Sequence, residues 1–374
     1  METLPPSFYG PIRDPNLKRQ SNYKAYEWMA LLHWYILPIG IELEFNTTLL
    51  ENFSDFVAIV ETAMTIQSHS MSDLACLKQL VIKFLQGYEK YYVGNDPEKI
   101  LRCRLCIFQL IHITTHIRWY GSVRLGSQAT VERAIGELGH KIHSKKEPFA
   151  NLTNIMIEHE LIKVLQLYYP ELIPESTGKN IIPDSGRLMQ PLKLQNQDWN
   201  DPIGHLSVIK QYFVATNCFA NTREIDVQSW NIHCFGKLKM KNQQTLQSSY
   251  SNSQISIKTT RYSRWFEAIK PNAQLGEVFG EAIAFYSIEY ENHIKLMMVY
   301  NPLGQLYAPL QTVICGRWSS PNQLAATETV HIQNLIGVWK AESQNIYVLR
   351  KHPGLLDLSP AESGAASLDL DENN

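Results

Sequence analysis

The chain has 374 residues, of which 44% are hydrophobic and 19% are charged, and its formal net charge is −2. This length and composition favour two globular domains with apolar cores. The near-zero net charge excludes a basic surface that covers the whole molecule, so any contact with nucleic acid is expected to be local.

The first residues, METLPPSFYGPIRDP, contain no apolar core flanked by positive charge, so no secretory signal is predicted. The longest apolar stretch, residues 28–43, is interrupted by His33 and Pro38 and is too short to cross a bilayer. We therefore expect an intracellular protein, nuclear or cytoplasmic, without membrane association. Free thiols are expected for its six cysteines.

Residues 1–21 are rich in proline and polar groups and are predicted to be an extended lead-in, and residues 22–168 are predicted to form an α-helical domain. Apolar residues recur at helical spacing from Tyr23 to Leu37, and Pro38 is expected to stop or kink that helix. Further helices are predicted at 50–67, from an N-cap at Ser72, from Asp96 to Gly121, at 129–143 and at 152–168.

Prolines in residues 169–202 predict a linker, and beyond it the pattern becomes typical of strands. Residues 203–353 are expected to contain a short helix near 205–216 and then a small antiparallel β-sheet or β-barrel. The predicted strands are 232–240, 255–260, 276–290, 294–300, 313–318, 329–335 and 346–350. Residues 354–374 are predicted to be a disordered acidic tail. The predicted fold class is α+β.

One segment, residues 106–169, carries several specific motifs. Residues 130–139 read TVERAIGELG, and residues 148–152 read PFANL after a run of lysines. This pattern resembles the C-terminal part of CACTA-type (En/Spm-like) DNA transposon transposases of the fungal type, and the likeness extends over most of residues 22–357. The resemblance implies a transposon-derived chain with DNA as its ancestral partner.

Transposases of this group resemble RNase H-like enzymes, in which three carboxylates hold two divalent metal ions, Mg²⁺ or Mn²⁺, at a DNA phosphate. The first two carboxylates are expected on or beside strands. Before residue 130 the aspartates are Asp14, Asp55, Asp73 and Asp96, and they fall in the lead-in or in predicted helices. We therefore expect a truncated transposase that lacks most of the catalytic core, retains no complete metal site, needs no cofactor and is inactive alone.

Glu132 is the candidate for a retained third carboxylate, because it stands early in a predicted helix inside the family-like motif. Stabilisation of the helix N-terminus explains an acidic residue there equally simply. Arg133 is a candidate for phosphate contact, although pairing with Glu137 at i,i+4 is the plainer interpretation.

Cys103, Cys106, His112 and His116 invite comparison with a zinc site. On one continuous helix, a rotation of about 240° around the axis separates position 106 from position 112, so the two side chains would face different directions. The plainer interpretation is buried thiols with core or partly exposed histidines, so no metal site is predicted.

Lys141, His143, Lys145 and Lys146 form the densest basic cluster of the chain. They are candidates for phosphate contacts that give affinity without sequence preference, and they equally suit a solvated helix C-terminus. In the β-rich part, aromatic residues such as Trp265, Trp318 and Trp339 suit either a groove or a core, and no ligand is assigned.

Two hypotheses follow. The first is a transposase fragment with residual DNA binding, and the second is a host-adopted module whose β-rich domain binds a protein or nucleic acid. A complete enzyme of unrelated chemistry is less favoured, because the chain contains no P-loop, no GxGxxG dinucleotide motif and no GxSxG nucleophile motif.

Overall fold

A computed structural model describes residues 4–5, 8, 25–66, 68–94, 96–126, 146–169, 181–182, 186–191, 204–216, 230–242, 244–249, 263–270, 276–290, 293–318 and 323–351. The chain divides into two compact units, Met1–Ala58 with Asn180–Asn374, and Ile59–Lys179. In the described ranges, the helices lie mainly before residue 169 and all strands lie after residue 180, and the predicted α+β class is confirmed.

In the first unit, helix α1 (Ala25–Ala30) continues through a π-helical segment (Leu31–Tyr35) into α2 (Ile36–Glu42). Pro38 lies inside α2, so of the two expected outcomes, a stop or a kink, the stop is wrong. The π-helical turn lies just before the proline, and such a turn accommodates an interrupted hydrogen-bond ladder. Trp34 is 1% exposed.

Two residues of the predicted lead-in belong to the core. Leu4 and Phe8 are each 2% exposed, and the rings of Phe8 and Trp34 lie 4.9 Å apart. They join a cluster that contains residues of α1, α2, α3 (Thr47–Met64) and the sheet. The lead-in is therefore anchored at these two positions by the apolar side chains that its sequence contains.

In the second unit, helix α4 (Met71–Tyr88) begins at the N-cap Ser70. Ser70 Oγ accepts a hydrogen bond from the backbone N–H of Asp73, and the Asp73 carboxylate accepts one from the backbone N–H of Ser70. This capping box corrects the predicted N-cap, Ser72. Helical spacing in the sequence predicts one apolar stripe on this helix, formed by Leu74, Leu77, Val81, Phe84, Leu85 and Tyr88, and all of these except Tyr88 are buried.

The helix predicted from Asp96 to Gly121 is divided into several pieces. A π-helical segment (Glu89–Val93) follows α4, and then come a 3₁₀ helix (Pro97–Arg102), α5 (Leu105–Phe108), a second 3₁₀ helix (Gln109–His112) and α6 (Ile113–Tyr120). Asp96 caps the start and Gly121, with φ of 77°, follows the end, as predicted. The last helix of this unit is α7 (Pro148–Tyr168). The predicted helix 129–143 lies outside the described residues.

Twelve antiparallel strands form the sheet in the described part of the first unit. They are β1 (Ile181–Ile182), β2 (Gly186–Pro191), β3 (Asn231–Lys239), β4 (Thr245–Gln247), β5 (Trp265–Ile269), β6 (Glu277–Tyr290), β7 (His293–Leu310), β8 (Val313–Trp318), β9 (Ala325–Glu328), β10 (Ile332–Leu335), β11 (Gly337–Lys340) and β12 (Ile346–Leu349). The main order is β1-β2-β3-β6-β7-β8-β12-β11, and among these strands the two ends do not pair, so the sheet is open.

Strand β7 connects the two halves of the sheet. Its first part pairs with β6 and β9, and its second part pairs with β8 after irregular register between Gly304 and Tyr307. Helix α8 (His205–Thr216) packs through Ile209 and Phe213 on the face formed by β3, β6, β7 and β9.

Several sequence predictions need correction or lie outside the described residues. Strands β1 and β2 fall inside the predicted linker, where the buried Leu188 holds β2 in the core of the sheet. Strands β4, β5, β9 and β11 were not predicted, and residues 329–331 form a 3₁₀ turn ahead of β10. The predicted strand 255–260 and the predicted tail 354–374 are outside the described ranges.

No helix within the described ranges has both the length and the apolar character that a membrane span requires.

Candidate functional site

The predicted nucleic-acid and catalytic residues fall mostly in one segment that is not described. Glu132, Arg133, Lys141, His143 and Lys145 lie outside the described residues, and their roles stay predictions. Lys146 is described and its side chain is exposed.

Lys146 stands two positions before Pro148, the first residue of α7. It was predicted to follow the end of the preceding helix, and it also precedes the N-terminus of the next one. Proline suits this first helical position because its missing N–H would have no partner there. Unpaired N–H groups at a helix N-terminus and a lysine side chain both favour a phosphate nearby. The carboxylate of Glu147, at the N-cap, opposes this effect.

Helix α7 carries large apolar residues on every side, between polar ones, and it is nevertheless exposed along most of its length. From Met156 to Tyr169, every residue whose burial is described is exposed. We call its large exposed apolar side chains, together with that of the adjoining Tyr169, the α7 surface. Its members are 38–83% exposed and comprise Phe149, Met156, Ile157, Leu161, Ile162, Val164, Leu165, Leu167, Tyr168 and Tyr169.

Apolar character all round a helix is typical of burial on more than one side. The exposed apolar area is also large. With roughly 150–200 Å² for each fully exposed large side chain, the ten residues expose on the order of 1,000 Å². The largest apolar patch of a typical monomer covers about 300–600 Å². The α7 surface is therefore a candidate interaction surface.

Four residues considered for zinc are all exposed. Cys103 and Cys106 are free thiols at the surface, so the interpretation that they are buried is wrong. Cys103 lies in the break before α5, while His112 ends a 3₁₀ helix and His116 lies in α6. Within the described ranges, no three His, Cys, Asp or Glu side chains come together as metal ligands would.

An exposed aromatic cluster at the end of α6 was missed by sequence reasoning. Trp119 and Tyr120 are each 70% exposed, and the His116 ring lies 5.0 Å from that of Tyr120. Exposed rings of this kind can stack on unpaired bases. The signal in the sequence is the run of aromatic residues directly before Gly121.

A polar cluster joins the end of α2 to strand β12. Tyr347 Oη donates a hydrogen bond of 2.7 Å to Glu42 Oε1, and Asn345 Nδ2 donates one of 2.9 Å to the same oxygen. Burial disfavours the Glu42 carboxylate, but the hydrogen bonds from Tyr347, Asn345 and Ser343 outweigh this and lower its pKa. Burial and the bond to Glu42 raise the pKa of Tyr347, so its hydroxyl remains a donor.

A second charged cluster lies at the end of β12. Arg350 donates to Glu267 Oε1 at 3.0 Å and also to Glu277. Burial raises the pKa of Glu267; Arg350 acts against this effect and Glu277 adds to it. The two carboxylates lie on the paired strands β5 and β6 and share one cation. One guanidinium therefore faces two carboxylates and balances the charge of only one of them.

Two further reactive groups are buried around strands β3 and β6. His205, the first residue of α8, has its Nδ1 2.7 Å from Tyr286 Oη on β6. Cys234 is 4% exposed, and burial raises its pKa to about 11, so it is a protonated thiol and a poor nucleophile at neutral pH.

The aromatic residues considered as a groove lie largely in the core. Trp265 is 2% exposed and its ring lies 5.1 Å from that of Trp318. The ammonium of Lys340 lies 5.8 Å from the centre of each of these two rings, a cation–π arrangement supplied by the chain itself. These rings stabilise the edge near β11.

We compared the chain with family models, with curated proteins and with solved structures. None of the three comparisons found a match.

Proposed function

We propose that this chain is a transposase-derived module that acts by binding rather than by catalysis. Its supports are the likeness of residues 106–169 to CACTA-type transposases and the α7 surface that directly follows the motif. The observation that carries the proposal is this surface, because a helix with nine large exposed apolar side chains, extended by Tyr169, has the properties of an interface and not of an active site.

Three of the upstream aspartates have structural positions. Asp55 lies within α3 and is 4% exposed, Asp73 completes the capping box of α4, and Asp96 Oδ1 accepts the backbone N–H of Glu98 at 3.0 Å. None of these positions suits a carboxylate that holds a metal ion beside a strand, so we propose that the chain does not cut DNA alone. Incubation of the purified chain with supercoiled plasmid and Mg²⁺ or Mn²⁺ tests this. Nicking above that of a mock preparation would contradict it.

The proposed nucleic-acid role rests on the basic segment that ends at the exposed Lys146. Lysines there would contact phosphates and give affinity without sequence preference, in the nucleus if the ancestral partner is kept. Fluorescence anisotropy with a labelled duplex, at several salt concentrations, measures the number of phosphate contacts. Each contact contributes about 0.9 to the slope of log K against log salt.

Two triple variants that remove the same charge allow a matched comparison. One variant replaces Lys141, Lys145 and Lys146 by Gln, and we expect it to reduce the slope of log K against log salt by about 2–3. The control replaces Lys78, Lys83 and Lys90, three exposed lysines on or just after α4, by Gln. Equal losses in the two variants would show that DNA binding does not depend on the motif segment.

A second candidate function, a host-adopted protein-interaction module, is favoured by the same α7 surface. A protein-interaction module does not need the basic segment. The Lys141, Lys145 and Lys146 triple variant therefore distinguishes the two functions, because it should remove DNA binding and leave protein association unchanged.

A further inference from the structure

We infer that α7 is a self-association helix, which packs against α7 of a second copy of this chain. The inference rests on the proposed function, since it names the partner of the proposed binding surface. The contact stripe consists of Ile157, Leu161, Val164 and Tyr168, which we call the α7 stripe.

The spacing of the α7 stripe is that of a helix–helix seam. Its members follow one another at intervals of four, three and four residues, which places them on one face of the helix as alternating d and a positions of two heptads. Their exposed fractions are 60%, 55%, 47% and 73%. Side chains of this spacing in one helix insert between those of an identical helix, so the stripe is complementary to itself.

The exposed area of the stripe suits a weak dimer. With roughly 150–200 Å² for each fully exposed large side chain, the four stripe residues expose about 350–470 Å² on each copy. Two copies would therefore bury about 700–950 Å² in total, which is the size of a weak, transient interface. A two-fold dimer uses the same patch twice and needs no other partner.

The charges near the stripe also favour an identical partner. Glu158 and Glu160 flank it, and Lys163 bonds to Glu160 within the same helix at 3.0 Å. Glu158 remains as a second carboxylate beside the stripe. A strongly acidic partner is therefore disfavoured, whereas a second α7 brings an apolar stripe with few charges at its edges.

Self-association has a consequence for the proposed DNA contact. Each copy contributes one basic segment whose last residue, Lys146, stands two positions before α7, so a dimer carries two such segments, which would both be able to bind one duplex. The second contact forms at a high effective concentration, and the apparent affinity for DNA rises without any new residue.

Sedimentation equilibrium of the full chain, without DNA and from about 1 to 100 µM, tests the inference. We expect a mass that rises with concentration from 42.9 kDa towards twice that value. Leu161→Glu is expected to raise the dimer dissociation constant at least tenfold, because a carboxylate is disfavoured in an apolar seam.

Ile162→Glu is the matched control. Ile162 is the next residue along α7 and is 52% exposed, against 55% for Leu161, but it points away from the stripe. Its dissociation constant should stay within about threefold of that of the parent chain. Far-UV circular dichroism shows whether both variants keep their helices.

A parent chain that remains monomeric at 100 µM overturns the inference, and so do equal effects of the two substitutions. Both results leave DNA binding untouched, because that is measured through the lysine variants. Loss of DNA binding in those variants with an unchanged dimer mass would in turn leave self-association standing.

Discussion

Trp34 and Arg350 are joined by a hydrogen bond of 2.7 Å from the indole Nε1 to the backbone carbonyl oxygen, across 316 positions of the chain. The side chain of the same arginine bridges Glu267 and Glu277 and lies 5.2 Å from the ring of Phe279. One residue therefore ties the N-terminal helices, the end of β12 and the β5–β6 pair together.

Arg350→Ala should destabilise the first unit by about 1–2 kcal/mol at neutral pH, because a largely buried carboxylate loses its cation while the partly exposed Arg350 side chain limits the cost. The pKa of Glu267 is already raised in the folded protein and should rise further. The stability that such a carboxyl group contributes is fully present below its pKa in the unfolded chain, and it is lost as the pH rises through its pKa in the folded protein. The variant should thus differ least from the parent below pH 4, as measured by urea unfolding. Adding Glu267→Gln should restore most of the loss; no restoration would mean that charge is not the cause.

Tyr347→Phe tests the contact with Glu42. The change removes the hydroxyl that donates at 2.7 Å, and we expect a loss of about 1 kcal/mol at pH 7. Because the pKa of Glu42 is lowered, the stability it contributes is present above its unfolded pKa and is lost as the pH falls through the folded value. The difference between Tyr347→Phe and the parent should shrink in acid. A constant difference from pH 7 to pH 3 would show that packing, not the carboxylate, sets the cost.

How much of this fold the sequence could predict depends on the range of the interaction. The stripe of α4 is local and was predicted from its spacing. The N-cap was also within reach, since Ser70 has an acid three residues later at Asp73, whereas the third residue after Ser72 is Ala75. The Glu42–Tyr347 bond joins residues 305 positions apart, and no local pattern indicates such a partner.

The candidate site shows the same limit. The sequence predicted the helix at 152–168 but made no prediction of how far its side chains are exposed. Its exposure depends on what the remainder of the chain covers, which periodicity does not encode. Two aromatic residues of β5 show the opposite difference. Trp265 and Phe266 suited an exposed groove in the sequence, yet they are only 2% and 0% exposed.

The capping box of α4 gives a prediction with a close control. Ser70→Ala removes a side chain that bonds to the backbone of Asp73, and we expect a loss of about 1 kcal/mol in the stability of the second unit. Ser72→Ala, two residues away and exposed, should change it by less than about 0.5 kcal/mol. Amide hydrogen exchange of α4 measures both. If the two substitutions reduced the protection of α4 by similar amounts, Ser70 would not be the N-cap.

The cysteines should fall into two classes of reactivity. Cys76, Cys103 and Cys106 are exposed and should be alkylated by iodoacetamide within minutes in the native protein. Cys234 and Cys315 are buried, and burial also raises the pKa of Cys234 to about 11, so both should react only after unfolding. Peptide mass spectrometry in a Cys218→Ser background locates the label. Early modification of Cys315 would contradict its buried position opposite Tyr347 on the neighbouring strand.

The division of the first unit into residues 1–58 and 180–374 has a consequence during protein synthesis. Trp34 and Leu37 share their core with Val313, Tyr347 and Leu349. At about 5–20 residues per second, roughly 15–60 s pass between the synthesis of the first group and that of the last. The second unit, whose residues are contiguous, can fold on the ribosome during this interval. During this interval the apolar faces of α1 and α2 are not yet covered by the sheet. The nascent chain should therefore bind chaperones most strongly through its first sixty residues.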